Sequence, residues 1–501
     1  LVVSAGNFYQ SNDQINFGSH TDKFAYYASF NGNRSQLGLE TPSPAVLHDA
    51  ENGLGAFQSL IYNADAKDQF RLAASERRDF YQIPNTADQN AAGPTFQHDA
   101  QRESDAFANL SWVRTLSPDA LLTISPFYHY NRAAYEGGPG DFPLSTTDDR
   151  GSHYAGAQAV LDLTGGGHIA QFGAYGFGQR DHQLFGLRFN DGSAPDLQQA
   201  ENPSGQLEEV FAEDKYQPWS WLTLLGGVRQ SHFQAGIREN ATSPRLGVAL
   251  ELPWLHWVAR ANYGRYYQAP PLQTASGPLL RFVTDQSLGF IPLRGERDEE
   301  WQVGLTIPLR QWALDGDYFH TRARNFFDHN NVGNSDIFFP LTIDAAHIDG
   351  VEATLRSPRL WNRGQVHLAY SNQIALGEGA INGGLTDFSP PAGLFLLDHD
   401  QRNTLNLGGE WNLPHAAYLA ANLYYGSGFA NGDAPPDHLP GHSSLDLTLG
   451  RQFTSQLAIS ATALNVANRH LLTDNSLTFG GTHFNNPREV YVEMRYQFRY
   501  R

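Results

Sequence analysis

The chain has 501 residues and a formal net charge of -18, from 52 acidic and 34 basic side chains, with 12% aromatic residues, 48 Gly, 1 Met and 0 Cys. This acidic balance argues against nucleic acid as a partner, because phosphate binding needs a basic face, and the lack of cysteine excludes a disulfide framework or a thiolate metal site. No run of about 18 apolar residues occurs, so no transmembrane helix is expected, which leaves a soluble fold or a barrel.

The first residues, "LVVSAGNFYQ", show no basic segment followed by an apolar one and read as strand. Period-two alternation then recurs along the chain: Phe24, Tyr26, Ala28, Phe30; Ala106, Ala108, Leu110, Trp112; Trp301, Val303, Leu305, Ile307; Leu405, Leu407, Gly409, Trp411; Leu419, Ala421, Leu423, Tyr425; and Leu445, Leu447, Leu449. The residues between them, such as Gln302, Thr306, Asn406, Glu410, Asn422 and Asp446, are polar or small. Side chains of an extended chain alternate sides, so each segment has one apolar and one polar face. The closing "NPREVYVEMRYQF" repeats the pattern, with Val490, Val492, Met494, Tyr496 and Phe498 on one side and Tyr491, Glu493, Arg495 and Gln497 on the other. A soluble sandwich shows the same alternation in strands of about 5–6 residues, whereas these run to about 10, the length that crosses a tilted path through a bilayer.

The connections alternate in length. Short ones fall at Leu116 to Asp119, Thr164 to Gly167, Gln217 to Trp219, Pro253 to Trp254, Pro308 to Arg310, Leu413 to His415 and Phe453 to Ser455. Long polar stretches lie between them: Tyr81 to Ala100, Glu136 to Gly151, Asp181 to Gly205, Ala269 to Arg297, Ala323 to His347, Ile374 to Asp398, Gly426 to Gly441 and Ala467 to Pro487. Short connections at one end and long ones at the other predict an all-β, transmembrane antiparallel barrel of about 22 strands, with short periplasmic turns and long extracellular loops. The first strand should run outward and the last inward, with residues 1–501 forming one barrel domain.

Three stretches carry a resemblance: "ATSPRLGVALELPWLHWVARANYGRYYQAPPLQ" (Ala241 to Gln273), "LDHDQRNTLNLGGEWNLPHAAYLAANLYYGSGF" (Leu397 to Phe429) and Leu439 to Phe498. They resemble the barrel of TonB-dependent outer-membrane receptors. That resemblance implies residence in the cell outer membrane of a Gram-negative bacterium and active uptake of a scarce ligand of the siderophore-iron, cobalamin or oligosaccharide class. It also implies energy from TonB through an N-terminal plug region, which the given sequence, beginning on the first barrel strand, is expected not to include. The expected partners are outer-membrane lipid, lipopolysaccharide and a small-molecule or oligosaccharide ligand, with no nucleic acid and a monomeric barrel. The family ends on an aromatic residue read by the barrel-insertion machinery, whereas Arg499, Tyr500 and Arg501 follow Phe498 here. A plugless passive channel or an adhesin on a similar barrel is the alternative reading, and an outer-membrane hydrolase a third.

Nothing in the chain points to catalysis or a cofactor. Ser427 stands between glycines at the end of a strand with no helix to follow, and Gly165 to Gly167 lack the Lys and Ser/Thr of a phosphate loop. In Asp398-His399-Asp400-Gln401-Arg402 the carboxylates and imidazole could bind a metal, or simply form a solvated loop end entering a strand; no metal site is assigned. By alternation, Arg260, Asn262, Asp315, Asp317, Glu352, His367, Glu410, Glu493 and Arg495 face the lumen with Arg402, where charges of both signs should pair with one another or with a plug. Ligand contacts are expected at strand tops and in loops, where Tyr266, Tyr267, Gln268, Arg281, Phe326 and Phe327, together with Asp398, His399 and Arg402, combine aromatic surface with hydrogen-bonding groups.

Overall fold

The computed structural model describes the chain apart from residues 42, 44, 85–98, 139–143, 273–289, 332–337, 386–391, 399, 432–435, 476–481 and 499–501. Arg281, His399 and the last three residues therefore lie outside the described part. No helix element occurs among the described residues; the main sheet has 25 strands, and Leu472–Asp474 pairs with His483–Phe484 in a second, two-stranded one. Apart from the short rim segments Leu197–Glu201, Phe290–Ile291 and Leu394–Leu396, the strands of the main sheet form one antiparallel ring, each bonded to its predecessor and its successor. Val2–Gly6 closes the ring against Glu489–Tyr496, with Val2 opposite Arg495 and Gly6 opposite Tyr491. A closed ring leaves no open edge, so the ladder itself satisfies the backbone in lipid.

The alternation sets the two faces. Val490, Val492 and Met494 are 44%, 49% and 38% exposed, as lipid-facing side chains must be. The facing positions converge on ion pairs that reach past a neighbouring strand. Arg260 bonds Asp317 over Gly304, where a Cβ would collide with Asp317, and such convergence occurs on the concave side. Aromatic side chains mark the borders of the apolar band. Tyr263 and Trp301 lie 4.9 Å apart on one side, and on the turn side Trp219 and Trp221 stack at 5.1 Å and Trp254, in the turn after Arg238–Leu252, is 95% exposed.

Tight turns join the strands at the inner end. At Gly166 and Gly167, with φ of 59° and 86°, both central residues are left-handed, a conformation that matches the strand twist and that glycine adopts without a Cβ penalty. At the outer end the expectation needs correction. Leu144–Gly165, His168–Phe189 and Gly364–Leu385 each run 22 residues, and Trp312–Asn331 and Phe338–Arg356 run 20 and 19. Much of Glu136 to Gly151, Asp181 to Gly205, Ala323 to His347 and Ile374 to Asp398, expected as loop, is thus strand. Above the bilayer a strand needs no apolar face, so it keeps pairing while the amphipathic signal disappears. Two outer connections, Asn7 to Gln10 and Ala235 to Ile237, are tight turns rather than loops.

Among the described residues there is no central core, and the fully buried apolar side chains sit at the outer rim. Ala323, Leu341, Ile343, Ala346 and Leu397 form one cluster, with Phe326 and Phe395 against it, and Tyr135 and Phe185 form another.

Candidate ligand site in the lumen

On one side of the lumen the inward positions carry rings. Strand Ala100–Ser117 turns Leu110 and Trp112 outward, which puts Asp105 and Phe107 inside, and the next strand, Ala120–Glu136, contributes Phe127 and His129. Phe107 lies 6.5 Å from Phe127 and 6.0 Å from His129, whose Nε2 is 2.6 Å from Asp105 Oδ2. Tyr154 stacks on His129 at 5.5 Å and meets Phe177 edge-on at 5.6 Å; Tyr175 stacks on Phe127 at 5.8 Å and touches Phe177 at 5.9 Å. Glycines make the room: a Cβ on Gly156 would stand 2.9 Å from Phe127 Cζ and 2.6 Å from Phe177 Cβ, and one on Gly173 would enter the Phe211 ring. Next to this group, Arg229 lies 5.0 Å above Phe211 and bonds Glu209 at 2.8 Å.

Above these rings is a cavity of about 310 Å³, lined by Ser152, Tyr154, Phe177, Gln179, Asp181, Leu207 and Phe233 and walled on one side by Ala269, Pro270, Pro271 and Leu272. The last four continue from strand Trp257–Gln268. Leu272 anchors them, 3% exposed and seated over Gly205, where a Cβ would come within 2.7 Å of its Cδ2. Asp181 is 6% exposed and accepts hydrogen bonds from Gln179 Nε2 at 2.9 Å and Gln183 Nε2 at 3.4 Å. Among the described residues the lining holds neither Lys nor Arg.

The other side of the lumen is ionic. Arg260 donates to Asp317 Oδ1 at 3.1 Å and Oδ2 at 2.5 Å, to Asp315 at 3.3 Å and to Thr306 at 2.6 Å. Glu352 stands opposite Asp317 in the ladder, Glu410 opposite Gln365, and Arg495 bonds Glu493 at 3.0 Å. Arg260 with its two aspartates forms the tightest group among these charges.

The ligand candidates read from the sequence are dispersed. Tyr266 is 38% exposed, with Arg245 5.1 Å above its ring. Pairing of Arg238–Leu252 with Trp257–Gln268 ends at Arg245 opposite Gly264. Beyond that point the Tyr267 hydroxyl donates to Glu239 at 2.9 Å, and Arg297 lies 5.2 Å over its ring. Gln268 is exposed and opposite Glu296, whose carboxylate also takes the Phe327 amide; Phe326 packs into the rim cluster. Arg402 donates to the Gln373 carbonyl at 3.4 Å, and Asp398 is half-buried. Within the same segment it is Asp400, 2% exposed, that ties the loops together, accepting from the Ala375 amide at 2.7 Å with His438 at 3.3 Å. Among the described residues no three His, Cys, Asp or Glu side chains gather as a metal site. The aromatic side was missed because each strand supplies only one or two of its rings, in positions otherwise polar or glycine; the signal was Phe107 standing in the polar phase of Ala106 to Trp112.

The family model described as TonB dependent receptor-like, beta-barrel matches residues 6–468. Among solved structures, the siderophore receptor PiuA from Acinetobacter baumannii is similar at 12% identity and a TM-score of 0.77, covering 99% of this chain and 80% of that one. The ferric yersiniabactin uptake receptor FyuA from Yersinia pestis gives 12%, 0.77, 99% and 79%, and the copper transporter OprC gives 10%, 0.78, 99% and 79%. At such identities the likeness is one of fold. No curated protein matches the sequence.

Proposed function

The chain belongs to the TonB-dependent receptor-like β-barrel family, and on that premise we propose that it is the barrel of an outer-membrane receptor for active uptake of a scarce small molecule, of the siderophore-iron, cobalamin or oligosaccharide class. Residues 1–501 act in this reading as a single monomeric barrel set in outer-membrane lipid and lipopolysaccharide. TonB acts through a plug region N-terminal to the barrel. The role is carriage and not catalysis. Tyr266, Tyr267, Gln268, Phe326, Phe327, Asp398 and Arg402, together with Arg281 and His399 from outside the described residues, are the contacts proposed for the incoming ligand, and the ionic side around Arg260 faces the plug.

The observation that carries this reading is the lumen itself. A ring of this many strands is too wide for its own side chains to fill, and its wall presents organised rings and ion pairs rather than a featureless polar surface. The experiment is uptake of labelled ligands from the three classes by cells producing the full-length receptor, with and without TonB. Uptake that collapses without TonB supports the proposal. Uptake that is unchanged without TonB would replace it with a passive channel.

A further inference from the structure

We infer that the ring-bearing side of the lumen and the cavity above it bind a neutral saccharide, with Tyr154 and Phe177 stacking on sugar rings and Asp181, Gln179 and Ser152 taking their hydroxyls. The inference rests on the uptake reading and narrows it to one ligand class.

Three observations combine. First, charge: among the described residues the cavity lining contains one carboxylate, Asp181, and no Lys or Arg. An anionic ferric chelate entering it would lose hydration, meet a like charge and gain no cation from this described lining. Second, the polar groups are of the kind that match hydroxyls. Asp181 is already oriented by Gln179 and Gln183, so a carboxylate and a side-chain amide stand side by side with acceptors and donors for adjacent hydroxyls. Third, the rings continue. From the cavity, Phe177 leads to Tyr175 at 5.9 Å and Tyr175 to Phe127 at 5.8 Å. The negative face of an aromatic ring attracts the weakly positive C–H face of a pyranose, and a row of such faces lets a chain of sugars pass from one ring to the next without a deep well. A volume of about 310 Å³ is at the lower end of small-molecule sites, about 300–1,000 Å³. It suits the leading end of an oligosaccharide and not a whole metal chelate.

The test is isothermal titration calorimetry of the 501-residue chain, refolded in detergent, with maltohexaose, cellohexaose, spermine and ferric citrate as separate probes. One of the two hexaoses should bind. Phe177→Ala and Asp181→Asn should each weaken it by about two- to tenfold, the worth of one ring stack or one net hydrogen bond. Phe177→Tyr should retain binding, and Arg260→Gln on the far side should leave it unchanged. Circular dichroism of each variant confirms the barrel. Preferential binding of spermine or of ferric citrate at this site overturns the saccharide assignment while leaving uptake as proposed. Failure of both hexaoses, or hexaose binding indifferent to Phe177→Ala, overturns it as well. The uptake reading falls separately, through transport that ignores TonB.

Discussion

The two sides of the lumen are made by the same device and differ in what it delivers. Between Ala100 and Phe189 the inward phase of each strand presents rings over glycines; between Trp257 and Tyr496 it presents Arg260, Asp315, Asp317, Glu352, Glu410, Glu493 and Arg495. Backbone pairing is alike on both sides because the ladder consumes the main-chain groups and is indifferent to the inward side chain. The lesson is that this wall is a scaffold on which chemistry is written in every second position. Rings can stack there without any apolar core, and charges can pair there without full burial.

The comparison depends first on which face is inside, and the strongest test addresses that. Val492→Arg, in the middle of the lipid-facing row of the last strand, should cost about 2–4 kcal/mol, while Arg495→Leu on the opposite face should cost far less. Reversible unfolding in phospholipid vesicles measures both. A larger loss at Arg495→Leu would show the last strand inside out and would exchange lumen for lipid throughout, and equal losses would show that neither face meets lipid.

The ionic side comes next. Arg260→Leu strands two aspartates that are 31% and 15% exposed at their side chains, and should cost about 1–3 kcal/mol. Neutralising both, with Asp315→Asn and Asp317→Asn in the same chain, should recover most of that. A loss that persists in the triple variant would mean that Arg260 acts through packing and not through its charge.

A smaller effect is expected among the rings. Phe127→Leu keeps apolar bulk but removes contacts to Phe107 and Tyr175, and should cost about 0.5–1.5 kcal/mol. Near-UV circular dichroism should fall in parallel. Stability unchanged together with unchanged near-UV signal would show that these rings do not interact, and would leave the two sides differing in composition alone.

The smallest effect belongs to the rim that both sides share. Asp49, in the outer connection before Glu51–Asn63, is 2% exposed and accepts the Leu39 amide at 2.7 Å, while its Oδ2 has no hydrogen-bond partner among the described residues. Burial pushes its carboxyl up from 3.8 to about 7, with the Glu51 charge adding and the Leu39 and Gly38 amides opposing. The folded form therefore holds the proton more tightly than the unfolded one between those values. Stability from this group is greatest at the acid end of that window and declines as pH rises toward about 7. Amide exchange across residues 36–50, corrected for intrinsic rates, should be slower at about pH 5 than at about pH 8, and Asp49→Asn should abolish the difference. Persistence of the difference in Asp49→Asn would move the titration to another group.

The strands that cross lipid were legible because lipid forces an apolar phase: Ala106, Ala108, Leu110 and Trp112, or Val490, Val492 and Met494, disclose their outward face without any partner. Arg260, Asp315 and Asp317 were legible only as sharing the opposite phase. Which charges meet depends on register, and Arg260 reaches Asp317 past Gly304. The aromatic group depends on register entirely. Phe107 lies opposite His129, Phe127 opposite Gly156 and Gly156 opposite Phe177, so the cluster exists only once four strands are aligned. The upper strand extensions were read as loop because, outside lipid, alternating polarity no longer has a cause. Tyr267 lies where two neighbouring strands stop pairing, a long-range event with no local signature.

The seam where the ring closes has a kinetic consequence. Toward Glu489–Tyr496, Val2–Gly6 pairs at five positions; toward Ser11–His20 it has a single register pair, Val2 with Gln14. There the ladder is replaced by side chains: Ser4 Oγ donates to the Asn12 carbonyl at 3.0 Å and accepts the Asn12 amide at 2.9 Å, and Asp13 accepts the Ser4 amide at 3.3 Å. Contacts between opposite ends of a chain carry the largest loop-closure entropy and so form late. This barrel can complete its hydrogen-bonded circumference only after its last strand has been synthesised, and until then the chain has two open edges. The most sparsely paired interface of the ring, against Ser11–His20, lies on the other edge of that same first strand, so on unfolding the cylinder should part beside Ser4.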